Sequence, residues 1–141
     1  MAAVLYREAF TLERNNFNTA GEASAKIKRS LKKMGVNPVL VREAAIASYE
    51  LELNLVIHSL GGELTLEIAA DKFTVTSADR GPGIENISLA MTEGYSTASE
   101  EARSLGFGAG MGLPNVKRHS HEFFIESALG RGTVIRATYN L

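Results

Sequence analysis

The sequence predicts an α+β fold: a two-layer sandwich whose mixed, mostly antiparallel sheet is covered on one face by helices. Three observations lead there. Strand-like segments follow one another directly instead of alternating singly with helices, which favours antiparallel pairing. Residues 64–68 and 72–76 alternate apolar and polar side chains, as strands buried on one side do. Three further segments carry apolar residues at helical spacing, so each has one face to bury.

Val4 to Leu12 reads as the first strand. Thr19-Ala-Gly-Glu22 fits a capping box, in which the threonine oxygen and the glutamate carboxylate satisfy free helix N–H groups. Ala23, Ile27, Leu31 and Met34 then form an apolar stripe, with Lys26, Lys28, Arg29, Lys32 and Lys33 mostly off it, until Gly35 ends the helix. Such a basic face is either simply solvated or a docking surface. Asn37-Pro38 opens a second helix, asparagine as N-cap and proline in the first turn. Its pattern runs to Ser59, with Ile46, Tyr49, Leu53 and Val56 as its core stripe, and Gly61-Gly62 stops it. Two strands paired as a hairpin through Ala70-Asp71 follow, then Asp79-Arg-Gly-Pro-Gly83. A short helix is expected over residues 85–93, a polar stretch over 95–105, a glycine run from Gly106 to Gly112, and a third helix over 113–122. Two last strands, residues 123–127 and 133–139, flank the turn Leu129-Gly-Arg-Gly132.

The chain has 141 residues, the size of one domain, and no linker or repeat divides it, so residues 1–141 are expected to form a single unit. A chain this long buries roughly 70% of its unfolded surface and needs no covalent staple. It has no cysteine, which excludes disulfides, cysteine zinc sites and cysteine nucleophiles. Fifteen Lys and Arg against 16 Asp and Glu give a net charge of −1, unlike a globally basic nucleic-acid binder. The longest apolar run, Met1 to Tyr6, is far shorter than the roughly 18 residues of a membrane span. Arg7 and Glu8 come too early for a secretory signal. A cytoplasmic protein with neither nucleic-acid nor membrane partner is the expectation.

The 13 glycines cluster, and the clusters exclude several chemistries. No glycine is followed by lysine, so there is no P-loop; from Gly106 or Gly108 the sixth position is Met111 or Leu113, so there is no dinucleotide fingerprint. Protein-kinase signatures of the H-R-D and D-F-G type and a G-x-S-x-G elbow are missing. His119 and His121, two apart on an expected helix, face different ways and make no transition-metal site. Gly106, Gly108, Gly110 and Gly112 leave backbone with little side-chain cover, able to turn N–H groups toward an anion at a helix start; a plain loop is the alternative.

Glu50, Asn54 and His58 lie at i, i+4 and i+8 and project from nearly one helix face. Asparagine is a mediocre residue inside a helix, but its amide oxygen is a hard neutral ligand suited to Mg²⁺. A glutamate one turn earlier could take a proton from an attacking hydroxyl. An ordinary exposed polar face fits the same spacing. Asp79 ends a strand before two glycines that allow close approach, and its carboxylate could accept a hydrogen bond from an amino group; a simple D-x-G turn reads the same way.

Together, in this order, Glu50-x-x-x-Asn54-x-x-x-His58, Asp79-x-Gly81-x-Gly83, Gly106-x-Gly-x-Gly-x-Gly112-Leu113 and Gly130-x-Gly132-Thr133 resemble the ATP-binding boxes of the GHKL superfamily. That superfamily contains gyrase, Hsp90, histidine kinases and the mismatch-repair ATPase. The resemblance covers roughly residues 38–139 and implies the Bergerat fold, the histidine-kinase-like ATPase sandwich. Asp-Arg-Gly-Pro-Gly-Ile84, Glu93-Gly-Tyr-Ser-Thr97 and Gly-Ala-Gly-Met-Gly-Leu-Pro-Asn-Val-Lys-Arg118 are more narrowly similar to the small serine/threonine kinases of bacterial partner-switching systems, which include anti-sigma factors and, closest in wording, stressosome-type switch kinases. Members phosphorylate a STAS-domain antagonist protein.

The resemblance implies ATP and Mg²⁺, with Glu50 as general base and Asn54 as the Mg²⁺ ligand bridging the phosphates. It places His58 on the phosphate side and Asp79 on the adenine amino group, with Gly81 and Gly83 giving the nucleotide room. Gly106, Gly108, Gly110, Gly112 and Leu113 match the phosphate loop and the start of its helix, Thr133 supports the adenine end, and residues 95–105 form a short lid. Some anti-sigma kinases carry an arginine near the glycine loop; this chain has Gly108 and Ala109 there, leaving Arg103 or Lys117 as candidate cations. Histidine kinases precede the ATP domain with a helical hairpin and gyrase- or Hsp90-like machines follow it with a transducer domain. The chain length gives room for neither, which points to a free-standing kinase of a separate protein. An anti-sigma or other regulatory binder that uses ATP without transfer, holding a sigma factor or a phosphatase, and an ATPase whose Glu50 activates water are the alternatives. Members are often homodimers.

Overall fold

In the computed structural model, residues 4–84, 87, 91 and 112–141 are described. The alternation in the sequence becomes five strands: β1 (Val4–Leu12), β2 (Gly62–Ala69), β3 (Lys72–Asp79), β4 (Glu122–Ala128) and β5 (Gly132–Asn140). They form one sheet in the order β1-β2-β3-β5-β4, and every pairing is antiparallel. The helices are α1 (Glu22–Lys33), α2 (Pro38–Ile57) and α3 (Gly112–Arg118), with a 3-10 turn at Phe17–Thr19. Of the short helix expected over 85–93 only Ile87 and Met91 are among the described residues, the Met91 N–H donating to Ile87 O at 3.0 Å. The stretch 95–105 and Gly106, Gly108 and Gly110 lie outside them.

One face of the sheet is apolar and carries the helices. Leu64, Leu66, Phe73, Val75, Ile135, Ala137 and Tyr139 are buried there against Ile27, Leu31, Leu51, Leu55 and Val116. Phe73 and Tyr139 are cross-strand partners, and their rings stack with centroids 4.7 Å apart. The opposite face is polar, where the Thr74 and Thr138 hydroxyls meet at 3.3 Å.

Helix α2 lies in the middle, packed on α1 and α3 and on the sheet. The Asn37 side chain accepts a hydrogen bond from the Val39 N–H at 2.8 Å, and Pro38 occupies the first turn, as expected. Being covered on several sides, α2 buries more than one stripe. Val41, Ala44, Ala47, Leu51 and Leu55 join the core, and Leu53 and Val56 are buried too. Of the four residues expected to form the core stripe, Ile46 is only half-buried and Tyr49 is exposed, its ring lying over Gly21.

The start of α1 corrects another expectation. Thr19 and Glu22 form no capping box; the N-cap is Gly21, in the left-handed region at φ 101°, with no side-chain cap of its own. The free N–H groups find a remote acceptor instead. Gly21 and Ala23 donate to Oε2 of Glu52 at 2.9 and 3.2 Å, and Ser24 donates to Oε1 at 2.9 Å. Glu52 is fully buried, and a buried carboxylate requires such partners. Ala23, Ile27 and Leu31 are buried as expected, whereas Met34, beyond the last turn, is half exposed.

Helix α3 ends at Arg118 instead of continuing to 122. His121 already belongs to the sheet margin: its N–H donates to Thr138 O at 3.0 Å, and its Nδ1 accepts from the Asn140 N–H at 2.9 Å. Those bonds replace helical ones. No helix among the described residues is long and apolar enough to cross a membrane.

Candidate active site

The polar face of α2 meets the first residue of α3. Glu50, Asn54 and Gly112 are all half-buried. A Cβ on Gly112 would stand 3.2 Å from Glu50 Oε2 and 3.4 Å from Asn54 Oδ1. A side chain at this position would crowd both groups and oblige them to shift by a few tenths of an ångström. Buried Leu113 and Val116 anchor α3 beneath them. Asn115, one turn on, offers its side chain to Glu50, and its Oδ1 accepts from Arg118 Nη1 at 3.2 Å.

Burial pushes the Glu50 carboxyl above its ordinary range, and the Asn115 contact offsets part of that rise. A carboxylate held this way takes up a proton more readily than a solvated one. His58 caps the C-terminus of α2, its N–H donating to Asn54 O at 3.0 Å, and burial lowers its pKa. Lys117 is exposed on α3, while Arg103 lies outside the described residues.

A second cluster forms where β3 ends beside the β4–β5 turn. Oδ1 of Asp79 accepts from the N–H groups of Gly81 and Thr133, each at 2.9 Å. Among the described residues no hydrogen bond reaches Oδ2, which is left as an acceptor. Burial raises the Asp79 pKa and the two backbone donors oppose it. Gly132 makes the arrangement possible: at φ 113° its missing Cβ would lie 2.4 Å from Asp79 O and 2.7 Å from Oδ1. Gly83, at φ 92°, passes so close to β4 that a Cβ would meet Ala128 O at 2.5 Å.

Thr133 is buried, and its hydroxyl lies 2.8 Å from Ser127 Oγ. Ser127 also takes the Ile84 N–H at 2.6 Å, and Gly130 donates to Pro82 O at 2.8 Å. The turn after Asp79 is thereby stapled to the β4–β5 hairpin, which brings Asp79, Gly81, Gly83 and Thr133 together. Ser127 and Asn115 were not singled out from the sequence. Ser127 could have been found as the hairpin partner of Thr133, and Asn115 as the residue three after Gly112 on the same helix face.

The residues present suit Mg²⁺ carried mainly by a phosphorylated ligand. Asn54 is a hard neutral donor beside a cradle that a Cβ at Gly112 would fill. No cluster of three or more His, Cys, Asp or Glu able to hold a metal by itself occurs among the described residues.

Residues 44–141 match the family described as histidine kinase-, DNA gyrase B- and HSP90-like ATPases. The chain is 34% identical over 110 residues to the serine/threonine-protein kinase RsbT of Bacillus subtilis (strain 168), covering 75% of this chain and 77% of that protein. It is 33% identical over 103 residues to the anti-sigma F factor of Thermoanaerobacter sp. (strain X514), covering 70% of this chain and 68% of the relative. Among solved structures it resembles a chain of the SiaB–SiaC complex from Pseudomonas aeruginosa at a TM-score of 0.65, over 96% of this chain and 89% of that one. At 14% identity this last likeness speaks for the fold alone.

Proposed function

Since this chain belongs to the family of histidine kinase-, DNA gyrase B- and HSP90-like ATPases, we propose that it is an ATP-dependent serine/threonine protein kinase of a bacterial partner-switching system, acting on a STAS-domain antagonist protein. The observation that carries this reading is the junction of α2 and α3, where Glu50 and Asn54 lie against Gly112, the last glycine of the glycine-rich run. The similarity to a serine/threonine kinase and to an anti-sigma factor supports the partner-switching role.

The chain's own groups divide the work. Asp79 receives the adenine amino group on its free Oδ2, while Gly81 and Thr133 hold the carboxylate still through Oδ1. Gly83 and Gly132 keep side chains out of the base's approach, and Thr133 with Ser127 braces that end. The glycine-rich run and Gly112 serve the phosphates, with His58 beside them. The partner's serine or threonine hydroxyl meets Glu50, which takes its proton as the oxygen attacks the terminal phosphorus and ADP leaves. Mg²⁺, when held at Asn54, supplies positive charge to the phosphate oxygens. Positioning and electrostatics account for most of the rate, because the transition state of phosphoryl transfer is loose.

The test incubates the chain with labelled ATP, Mg²⁺ and the STAS-domain protein of a neighbouring gene. Label on a serine or threonine of that protein, lost in Glu50→Ala with nucleotide binding retained, is the expected result. A nucleotide-dependent complex without label would instead make the chain a regulatory binder. Rapid phosphate release without any partner would make it an ATPase.

A further inference from the structure

We propose that the outer face of α1 and the cavity at its C-terminal end form a docking surface for an acidic protein segment carrying an exposed aliphatic side chain. From residue 26 to residue 33 every exposed side chain is a cation: Lys26, Lys28, Arg29, Lys32 and Lys33. Five of the chain's 15 basic residues thus sit on one helix of a protein whose net charge is −1. Among the described residues none of the five is in an ion pair; the pairs there are Arg7–Glu63 and Arg80–Glu13. Lys28 and Lys32, and likewise Arg29 and Lys33, are i,i+4 pairs of like charge, which destabilise a helix. Lys32 and Lys33 gain from the helix dipole in the last turn, and Lys26 lies over the Phe10 ring at 6.0 Å. No carboxylate among the described residues is paired with any of the five, however, and an incoming acidic surface would supply that partner.

The basic face runs into an apolar cavity. Met34, Val36, Leu40 and Leu141, with Gly35 and Asn37, line a space of about 390 Å³. Met34 is 50% and Leu141 52% exposed. Charge beside an open apolar hollow is the make-up of a protein-binding surface, with steering from the rim and an anchor pocket beside it.

Other occupants fit less well. A nucleic acid would find no exposed aromatic platform among the described residues of this patch, since Phe10, the ring beneath Lys26, is half-buried against the core. A membrane would gain little from α1 itself, because Ile27 and Leu31, its apolar side, are fully buried in the core, and the exposed apolar surface is confined to the hollow at the helix end. A second copy placed face to face would set five cations against five.

The experiment uses the full chain and a synthetic helical peptide of roughly 16 residues, with glutamates on one face and leucines at i, i+3, i+4 and i+7. Binding is followed by fluorescence anisotropy. Saturable binding is expected in about 50 mM salt, weakened at least tenfold in about 300 mM salt. The charge-reversed variant Lys28→Glu/Lys32→Glu, which touches no buried group, should weaken it at least tenfold. Replacing the leucines of the peptide by alanine should do the same, with the protein unchanged. Nucleotide affinity should stay the same in the variant, so a failure of the kinase reading and a failure of the docking surface are separable. The proposal is overturned if the peptide fails to bind, or if it binds the reversed variant equally well. It is also overturned if single-stranded RNA or phosphatidylglycerol vesicles bind through these lysines while the peptide does not, or if sedimentation shows the wild-type chain alone dimerising through this face.

Discussion

The amide of Gly21 donates to Oε2 of Glu52 at 2.9 Å across 31 residues of sequence. Glu52 lies two residues after Glu50 on the same helix, facing the core while Glu50 faces the site. One helix thus both carries the proposed base and holds the first turn of α1.

Removing that acceptor should cost stability. Glu52→Ala leaves three helix N–H groups unsatisfied in a buried place, and a loss of about 3 kcal/mol is expected. In a chain of this size that corresponds to a fall of roughly 10 °C in melting temperature. Glu52→Gln keeps one acceptor oxygen and should lose less. Calorimetry on both variants decides the matter; equal melting temperatures for wild type and alanine would show that these bonds contribute nothing.

The glycines give a second contrast. Gly132→Ala would force a methyl to within 2.4 Å of backbone oxygen at a positive φ, so both folding and nucleotide affinity should suffer. Gly130→Ala, also at positive φ but with nothing within 4 Å, should cost only about 1 kcal/mol and leave affinity unchanged. Gly112→Ala meets flexible side chains instead of backbone, so the chain should fold while phosphoryl transfer drops. Melting curves beside nucleotide titrations distinguish the three.

Asp79→Asn should separate stability from binding. The folded pKa of Asp79 is raised, so the folded chain holds that proton more tightly than the unfolded chain. Its contribution is therefore fully present below the unfolded pKa and lost as pH rises through the folded one. At neutral pH the asparagine variant, still able to accept both backbone N–H groups through Oδ1, should melt at or above the wild-type temperature. Its affinity for adenine nucleotides should nonetheless fall by at least about tenfold, since its Nδ2 replaces an acceptor with a donor. A lower melting temperature with unchanged affinity would contradict the adenine-reading role.

Glu50 gives a pH signature for the reaction. Its pKa is raised, so protonation removes the base at a higher pH than for a solvated glutamate. Transfer to the partner should decline on acidification starting above the usual carboxylate range, while nucleotide binding holds. Single-turnover rates across mildly acidic buffers measure this.

How far the sequence could be read followed from how local each cause was. Asn37-Pro38 marked the start of α2 because the cap bond is made two residues away. The alternation of Leu64, Leu66 and Ile68 marked β2 because one sheet face is apolar and the other polar. The start of α1 differs from its local signal because its cap is Glu52, which only the packed structure brings near. Tyr49 fitted the helical period, yet α2 is covered on several sides and a single stripe is a poor guide there. His121 fits the end of a helical pattern, but its bonds to Thr138 and Asn140 hold it at the sheet margin. The juxtaposition of Glu50 and Asn54 with Gly112 could be anticipated only through the family likeness, since it depends on how α3 packs on α2.

The turn-to-hairpin staple has one more consequence. Asp79 joins the hairpin β2–β3 to the hairpin β4–β5 at one end of their shared seam, through the Thr133 amide. A nucleotide seated on Asp79 would rest on both halves at once and disfavour their separation. By mass action, saturating nucleotide should then shift the unfolding equilibrium by about 2.7 kcal/mol at a hundredfold excess over its dissociation constant. The amides of Gly81 and Thr133 would be the first to register it as slowed hydrogen exchange.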